Sequence, residues 1–394
     1  MSTPSNEEPS CNDPFPIQPR GPDGLLFEGP EYRYTFLSPL RDAHDPLAVV
    51  QRTPLNGNGP PSLVTLKQVV MPPLGKRRQR ALEEMHLVTR LDHPCIAQVY
   101  GLEEHQGGLY LVMQHVPGLF LETVMETALL LERALSPCFC VYLAAQVADA
   151  LHTAWRYTDD EGRPLHIVHR AVSPLNIRMG FDGGVWLTDF GVASSHLEGR
   201  LETSPGVVRA ELAYAAPEVF LREALDGRSD LYSLGMVLLE MLSGQYPLDP
   251  SDVALPPGES LQVTRYNARV RVERPSWTSV GVLAERIPRF GAEDVERLAR
   301  GMPVPLKLIL HKALQNHPDD RYQTGGEMRE ALCEWLHGQD ECFGRARVAA
   351  ELQALVREKP RPEETRAFPS EKGFLLTPDE AATEEEAKGG SVSP

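Results

Sequence analysis

Hydrophobic positions along this chain change their spacing near residue 117. Between residues 31 and 116 they form short apolar runs separated by turn residues, a pattern typical of β-strands. Within this half, residues 75–91 instead place apolar side chains at helical spacing, which predicts one helix. The pattern therefore predicts a small, mostly β N-lobe over residues 31–116.

Beyond residue 117 the apolar spacing is that of helices. Helices are expected over residues 137–155, 229–243, 304–315 and 326–337. Short strand-like segments, residues 166–172, 176–180 and 184–190, lie between the first two of these helices. The whole pattern indicates an α+β, bilobal fold whose mostly α C-lobe covers residues 117–340.

The two ends of the chain differ from this region in composition. Residues 1–30 and 359–394 are rich in proline, serine and acidic residues, so both are expected to be disordered tails. One more helix is expected over residues 341–358. The first residues lack the features of a signal peptide, and no run of about 18 apolar residues occurs. A cytoplasmic protein without a membrane span is therefore expected.

Composition and charge narrow the classes of function. Of the 394 residues, 42% are hydrophobic and 24% are charged, which is ordinary for a chain with a buried core. The formal net charge of -16 argues against a nucleic-acid partner, because phosphate backbones are bound by clustered lysine and arginine. The six cysteines lack paired CxxC spacing, so reduced thiols are expected rather than a zinc site or a disulfide framework.

Seven short motifs follow one another along the chain. They are VTLK at 64–67, a helix that carries Glu84, HRAVSPLN at 169–176, TDFG at 188–191, AAPE at 215–218, SDLYSLG at 229–235 and NHPDDRY at 316–322. Each is weak alone, but their order and spacing match the signature set of protein kinases. The chain therefore resembles the protein kinase superfamily over roughly residues 31–340, and residues 155–177 resemble the myxobacterial-type bacterial Ser/Thr kinases.

The resemblance implies a site for ATP and Mg²⁺. Lys67 would reach the α and β phosphates, and Glu84 would neutralise and aim Lys67. The alternative for Glu84 is a solvated helix face. Asn176 and Asp189 would supply the oxygen ligands that Mg²⁺ prefers, although either residue taken alone fits the cap of a turn equally well.

The segment LVMQHVPG at 111–118 resembles the strand and hinge that enclose adenine. Met113 would be the gatekeeper, while the backbone C=O of Gln114 and the backbone N–H of Val116 would bind the adenine edge. Only backbone polarity is needed at these two positions, so their side chains do not test the assignment.

Other motif residues imply architectural roles. His169 and Phe190 would pack in the hydrophobic spine of the kinase fold, and Asp230 would anchor the backbone of the catalytic loop. Glu218 and Arg321 would form a buried ion pair in the large lobe. These residues predict a well-formed kinase shape whatever the chemistry.

The catalytic loop departs from the kinase pattern at Ala171. Active kinases carry an aspartate there, which accepts the proton of the substrate hydroxyl and orients it. Alanine has no atom that could do either. Ser173, also in the catalytic set, stands where many kinases have lysine, but serine is normal in the group that this chain resembles, so Ser173 carries little weight.

Two further departures lie outside this loop. Residues 36–50 should flank a glycine-rich loop that covers the phosphates, yet they contain no glycine; Arg41 is a candidate replacement for part of the lost contact. In the activation segment, Glu211 would place a negative charge where phosphate is expected. Thr203 and Ser204 are candidate phosphorylation sites in the same segment.

Two functions remain open on the sequence. In the first, the chain is a pseudokinase that acts as a signalling scaffold or regulator for a protein partner, such as another kinase, with weak or absent binding of ATP and Mg²⁺. In the second, it is an active, low-rate Ser/Thr protein kinase, because Lys67, Glu84, Asn176 and Asp189 are retained. A small-molecule phosphotransferase is disfavoured by the AAPE and DLYSLG motifs and by Arg321.

Overall fold

The computed structural model describes residue 17 and residues 23–40, 47–69, 88–106, 108–190, 212–248, 265–266, 269–270, 280–339 and 343–358. The chain divides into two units, one of Met1–Leu261 with Glu273–Glu358, and one of Gln262–Val272 with Lys359–Pro394. In the second unit the described residues form a two-stranded antiparallel pair, β10 (Arg265–Tyr266) and β11 (Arg269–Val270). All that follows concerns the first unit.

The N-terminal lobe is an antiparallel sheet of six strands. The strands are β1 (Leu25–Glu28), β2 (Tyr32–Pro39), β3 (Leu47–Pro54), β4 (Ser62–Val69), β5 (Val99–His105) and β6 (Gly108–Gln114), in the spatial order β1-β2-β3-β4-β6-β5. Successive side chains of a strand point to opposite faces, so Ala48 and Val50 belong to a small core on one face of the sheet. Leu47 and Val49 belong to the main core on the other face.

The strand β1 corrects one expectation from composition. It lies within residues 1–30, for which the sequence predicts a disordered tail, yet Leu25 to Glu28 pair with β2. Leu26 and Phe27 are buried against Tyr34, whose ring centroid lies 4.8 Å from that of Phe27. The apolar burial offsets the entropy of ordering a short edge strand, so the folded part includes residues before 31.

The C-terminal lobe is mainly helical and confirms the α+β, bilobal fold. A three-stranded sheet is formed by β7 (Gly118–Phe120), β8 (Ile177–Gly180) and β9 (Val185–Leu187). The helices are α1 (Leu121–Leu130), α2 (Pro137–Arg156), α3 (Pro217–Leu221), α4 (Gly227–Ser243), α5 (Val280–Arg286), α6 (Ala292–Leu298), α7 (Val304–Ala313), α8 (Gly325–His337) and α9 (Arg345–Glu358). None of the helices in the described ranges has the length and apolar character needed to cross a bilayer.

The central helices start and stop where the sequence supplies caps. Ser136 caps α2 by accepting a hydrogen bond from the N–H of Phe139, and Asp226 caps α4 through the N–H of Arg228. Gly244 ends α4 in the left-handed conformation, with φ 67°. The four helices predicted from residue 137 onward therefore appear within two residues of the expected ends. The helix predicted over 75–91 lies almost entirely outside the described residues.

Helix α9 packs against the beginning of α2. The backbone N–H and the hydroxyl of Ser136 both donate to the carboxylate of Glu351, at 2.8 and 2.7 Å. Val348, Leu352 and Leu355, spaced along one face of α9, are buried. The helix expected over residues 341–358 is thus part of the folded lobe.

Residues 166–172 differ from their expected strand-like form. His166 and Arg170 have φ values of 48° and 67°, which a strand does not allow. The N–H groups of His169 and Arg170 donate to the carboxylate of Asp230 rather than to a neighbouring strand. A side chain from α4 therefore replaces sheet pairing, and the segment is a loop.

Candidate functional site

A cleft lies between the six-stranded sheet and the helical lobe. The space in it that no atom occupies amounts to about 640 Å³, part of which is open to solvent. Residues of both lobes line it: Leu40, Leu47, Thr65, Lys67, Ala97, Met113, Gln114, Val116, Phe120, Leu175, Asn176, Arg178, Thr188 and Asp189.

Lys67 and Asp189 meet at one end of this cleft. Lys67 is positioned on β4 by pairing with Leu47 of β3 and Leu111 of β6. Asp189 follows β9 with φ 66°, in the left-handed region that few residues with a side chain adopt. The Nζ of Lys67 lies 2.7 Å from Oδ2 of Asp189, and the two side chains are only 15% and 9% exposed. The structure thus joins two residues that lie 122 positions apart in the chain.

Asn176 lies beside this pair, at the start of β8. Its Nδ2 donates to the backbone oxygen of Ala171 at 2.9 Å, so the amide oxygen is the atom that could face a cation. Oxygen atoms of Asn176 and Asp189 fit the preference of Mg²⁺, which usually keeps several waters and phosphate oxygens in its shell. No cluster of three or more His, Cys, Asp or Glu side chains able to hold a metal occurs among the residues that the structure describes.

Asp230 organises the loop that precedes Asn176. Its two carboxylate oxygens each accept a backbone N–H at 2.7 Å, one from His169 and one from Arg170. Burial raises the pKa of Asp230 to about 7, while the two N–H donors act in the opposite direction. The loop backbone is thereby fixed from the central helix α4.

His169 is held in one neutral tautomer. Its Nε2–H donates to the backbone oxygen of Thr188 at 2.8 Å, and its Nδ1 accepts from the N–H of Ala171 at 3.2 Å. The ring packs edge-on against Phe190, with the centroids 4.5 Å apart. Burial lowers the pKa of His169 to about 4. The imidazole is thus a neutral packing and hydrogen-bonding element.

We expect the contribution of His169 to stability to depend on pH. The folded pKa of about 4 lies below the ordinary value of 6.5, so the contribution is complete above pH 6.5 and is lost as the pH falls toward 4. The stability difference between the wild type and His169→Leu should shrink by about 2 kcal/mol from pH 7 to pH 5. Urea unfolding at both pH values measures it, with the exposed His317→Leu as control. If the stability difference between the wild type and His169→Leu is the same at both pH values, His169 is not a buried imidazole with a lowered pKa.

The residue at the catalytic position is a buried alanine. Ala171 is 2% exposed, and both of its backbone polar groups are bonded within the loop, to His169 and Asn176. Ser173 is 0% exposed, and its Oγ has no hydrogen-bond partner among the described residues. The structure places the Ser173 side chain in the packed interior, and its catalytic role stays a prediction.

The hinge residues lie on the upper wall of the cleft. Met113 pairs with Thr65 across β4 and β6, and Gln114 bonds through its N–H to the backbone oxygen of Gln98 at 2.8 Å. His115 Nδ1 lies 3.3 Å from the hydroxyl of Thr65. Burial, and secondly the charge of Arg178, lowers the pKa of His115. Met113, Gln114 and Val116 are all brought to the same cleft as Lys67.

Arg178 also lines the cleft, and sequence reasoning assigned it no role. It is 5% exposed, with Nε 2.7 Å from the backbone oxygen of Val116 and Nη2 2.8 Å from that of Gly118. One feature of the sequence could have pointed to Arg178: it stands between Ile177 and Met179 in a short apolar strand. A charged residue is rarely buried without a specific partner, so an arginine at such a position is expected to bind one.

Glu218 and Arg321 form a bidentate ion pair inside the helical lobe. The two oxygen–nitrogen distances are 2.7 and 2.8 Å, and the side chains are 2% and 0% exposed. The hydroxyl of Ser229 donates to the same carboxylate at 2.6 Å. Burial alone would raise the pKa of Glu218, but the hydrogen bonds from Arg321 and Ser229 outweigh it, and the pKa is lowered.

Several residues that the sequence singles out lie outside the described residues. They are Glu84 of the predicted pair with Lys67, Arg41 of the glycine-free segment, and Thr203, Ser204 and Glu211 of the activation segment. Their expected roles stay predictions.

Comparison with known proteins agrees with this fold. A family model of the protein kinase domain matches residues 61–334, and the chain therefore belongs to the protein kinase family. Its similar relatives include serine/threonine-protein kinases of bacteria, so the domain is Ser/Thr protein-kinase-like.

Individual relatives are similar only over their kinase part. Serine/threonine-protein kinase PknJ of Mycobacterium tuberculosis is 30% identical over 265 residues, 66% of this chain and 38% of its own length. Tyrosine-protein kinase MasK of Myxococcus xanthus is 30% identical over 252 residues, 64% of this chain and 34% of its own. The chain thus spans somewhat more than a third of the length of these relatives.

A solved structure shows the same fold. The crystal structure of the Mycobacterium tuberculosis PknI kinase domain superposes with a TM-score of 0.51 at 23% identity, covering 79% of this chain and 98% of that one.

Proposed function

We propose that this chain is a pseudokinase, a Ser/Thr protein-kinase-like module that acts as a signalling scaffold or regulator of a protein partner. One observation carries the proposal: the side chain at position 171 is a methyl group, in a loop whose other anchors, Asp230 and Asn176, are in place. The catalytic loop is thus anchored as in a kinase but has no side chain at position 171 that could accept a proton. This combination supports a role in binding a protein partner rather than in catalysis.

Among the residues that the structure describes, the missing carboxylate has no substitute in the catalytic loop or at its two nearest acidic contacts. Removing a general base costs about 10²–10⁴-fold in rate, and a poorly oriented nucleophile adds to the loss. Asp189 is held by Lys67 at 2.7 Å, and Asp230 is 2% exposed with both oxygens bonded to the loop backbone. Neither carboxylate is therefore placed to accept the proton of a substrate hydroxyl.

The second candidate is an active, low-rate Ser/Thr protein kinase. The contact between Lys67 and Asp189, with Asn176 beside them, favours it, because these are the residues that would hold the phosphates and Mg²⁺. When bound, ATP and Mg²⁺ would supply the phosphoryl group and neutralise its charge. Lys67, Asn176 and Asp189, which line the same cleft, fit these groups by their charge and their oxygen atoms.

A phosphotransfer assay on the full chain separates the two candidates. With labelled ATP, Mg²⁺ and Ser/Thr peptides, we expect no transfer by the wild type above that of Asp189→Ala. Asp160→Ala, whose side chain is 82% exposed, is the matched surface control. Transfer by the wild type and by Asp160→Ala that Asp189→Ala and Asn176→Ala both abolish would establish the kinase instead.

The same proposal assigns parts to the rest of the chain. Residues 31–340 together with β1 would be the kinase-like docking domain, with the helix of 341–358 attached, and the segments before β1 and over 359–394 would be tails that reach partners. Pull-downs with the folded region and with each tail separately would show which part binds.

A further inference from the structure

Arg178, on β8, bonds to the backbone at the end of the hinge, where the chain enters the neighbouring strand β7. Its Nε and Nη2 reach the backbone oxygens of Val116 and Gly118 at 2.7 and 2.8 Å, so one guanidinium on β8 binds two carbonyls at the end of the hinge, on either side of Pro117. Val116 is the residue whose N–H the sequence assigns to adenine. The guanidinium therefore lies against the same peptide segment that a nucleotide base would use.

The guanidinium is also closely packed. Its central carbon lies 4.7 Å from the centre of the Phe120 ring, and the residue is 5% exposed. A purine can stack on an arginine, but only where a face of the guanidinium is open. Here Phe120 covers the guanidinium and little of the residue is exposed, so an entering base would have to displace it.

Displacement would be unfavourable on two counts. A hydrogen bond to a charged group is among the stronger ones in a protein, and leaving a buried partner unsatisfied adds a desolvation penalty.

We propose that Arg178 closes the base-binding part of the cleft and takes the place of a nucleotide at the hinge. The inference rests on the proposed function only in treating this cleft as the nucleotide site of a kinase fold. It names a determinant of nucleotide exclusion that is separate from Ala171. The side chain then adds to the backbone pairing of β7 with β8, which holds the end of the hinge beside β8.

Adenosine is the sharpest probe, because it has the base and no phosphates. Full-length wild type, Arg178→Met and Arg178→Lys are titrated with adenosine and with Mg-ADP by calorimetry. Methionine has a similar reach without donors, and lysine keeps the charge but cannot span both carbonyls. We expect a dissociation constant above about 1 mM for the wild type, a gain of roughly 10²-fold for Arg178→Met, and roughly 10-fold for Arg178→Lys.

Arg163→Met is the matched control, because that arginine is 73% exposed and bonds only to nearby Asp159 and Glu161 among the described residues. It should bind as weakly as the wild type. Thermal melts establish that each variant is folded, and if Arg178→Met does not fold, the lysine variant decides. Micromolar binding of adenosine by the wild type, or no gain in the folded variants, overturns the closure.

Failure of this inference is distinct from failure of the proposed function. Phosphotransfer is measured on the same proteins. A wild type that binds adenosine tightly but transfers nothing contradicts the closure alone. A wild type that transfers phosphate while Arg178→Met binds adenosine more tightly contradicts the pseudokinase role alone.

Discussion

Replacing Arg321 by methionine is expected to lower the free energy of unfolding by about 3–5 kcal/mol. The side chain is 0% exposed and holds both oxygens of Glu218, so its removal leaves a buried carboxylate without its cation. It also donates to the backbone oxygens of Gln315 and Asn316, at 2.7 and 2.8 Å. One side chain thereby joins the start of α3 to the loop after α7.

Urea unfolding followed by tryptophan fluorescence measures this loss. The control is Arg163→Met, in which an arginine with a 73% exposed side chain loses a surface pair and should cost no more than about 1 kcal/mol. Glu218→Gln, which keeps the shape but removes the charge, should be destabilised as well. Equal midpoints for Arg321→Met and the control would show that the pair does not stabilise the lobe.

Phosphotransfer should appear when both obstacles in the cleft are removed together. In the Arg178→Met background, Ala171→Asp is expected to raise the rate of transfer to a serine peptide by about 10²–10⁴-fold, because it supplies the missing proton acceptor. Ala171→Asp alone should remain at background, since the base end of the cleft stays closed. The retained contact between Lys67 and Asp189 supplies the phosphate end in every variant.

Ala171→Asn in the same background is the matched control. Asparagine has the size of aspartate but cannot accept the proton, so its rate should equal that of Arg178→Met. The assay uses labelled ATP with Mg²⁺ at saturating peptide. If aspartate and asparagine give the same rate, position 171 does not limit transfer in this chain.

Much of the fold follows from the sequence because it depends on local pattern. Ser136, Asp226 and Gly244 mark helix ends by their own chemistry, so helices such as Pro137–Arg156 are predictable from spacing and caps. By contrast, residues 166–172 have the composition of a strand but form a loop, since the carboxylate of Asp230 binds their N–H groups from 60 and 61 positions away.

Only those residues of the candidate site that belong to kinase motifs could be predicted from the sequence. The kinase-like motifs place Lys67, Asn176 and Asp189 together, as the structure does. The role of Arg178 depends on the pairing of β8 with β7, which brings Arg178 to Val116, 62 residues away along the chain, and no local pattern predicts that contact. The hydrogen bond between Ser136 and Glu351 joins residues 215 positions apart, so it could not be predicted from local sequence either.

The sheet of the smaller lobe begins well before the part of the chain that marks the family. Strands β1, β2 and β3 all precede residue 61, where the family match starts. A fragment trimmed to that match would leave β4 as a bare sheet edge, with Val64 and Leu66 uncovered and its backbone groups open to pairing with other chains. We expect such a fragment to self-associate, and we therefore expect the smallest soluble unit of this protein to include residues before the family match.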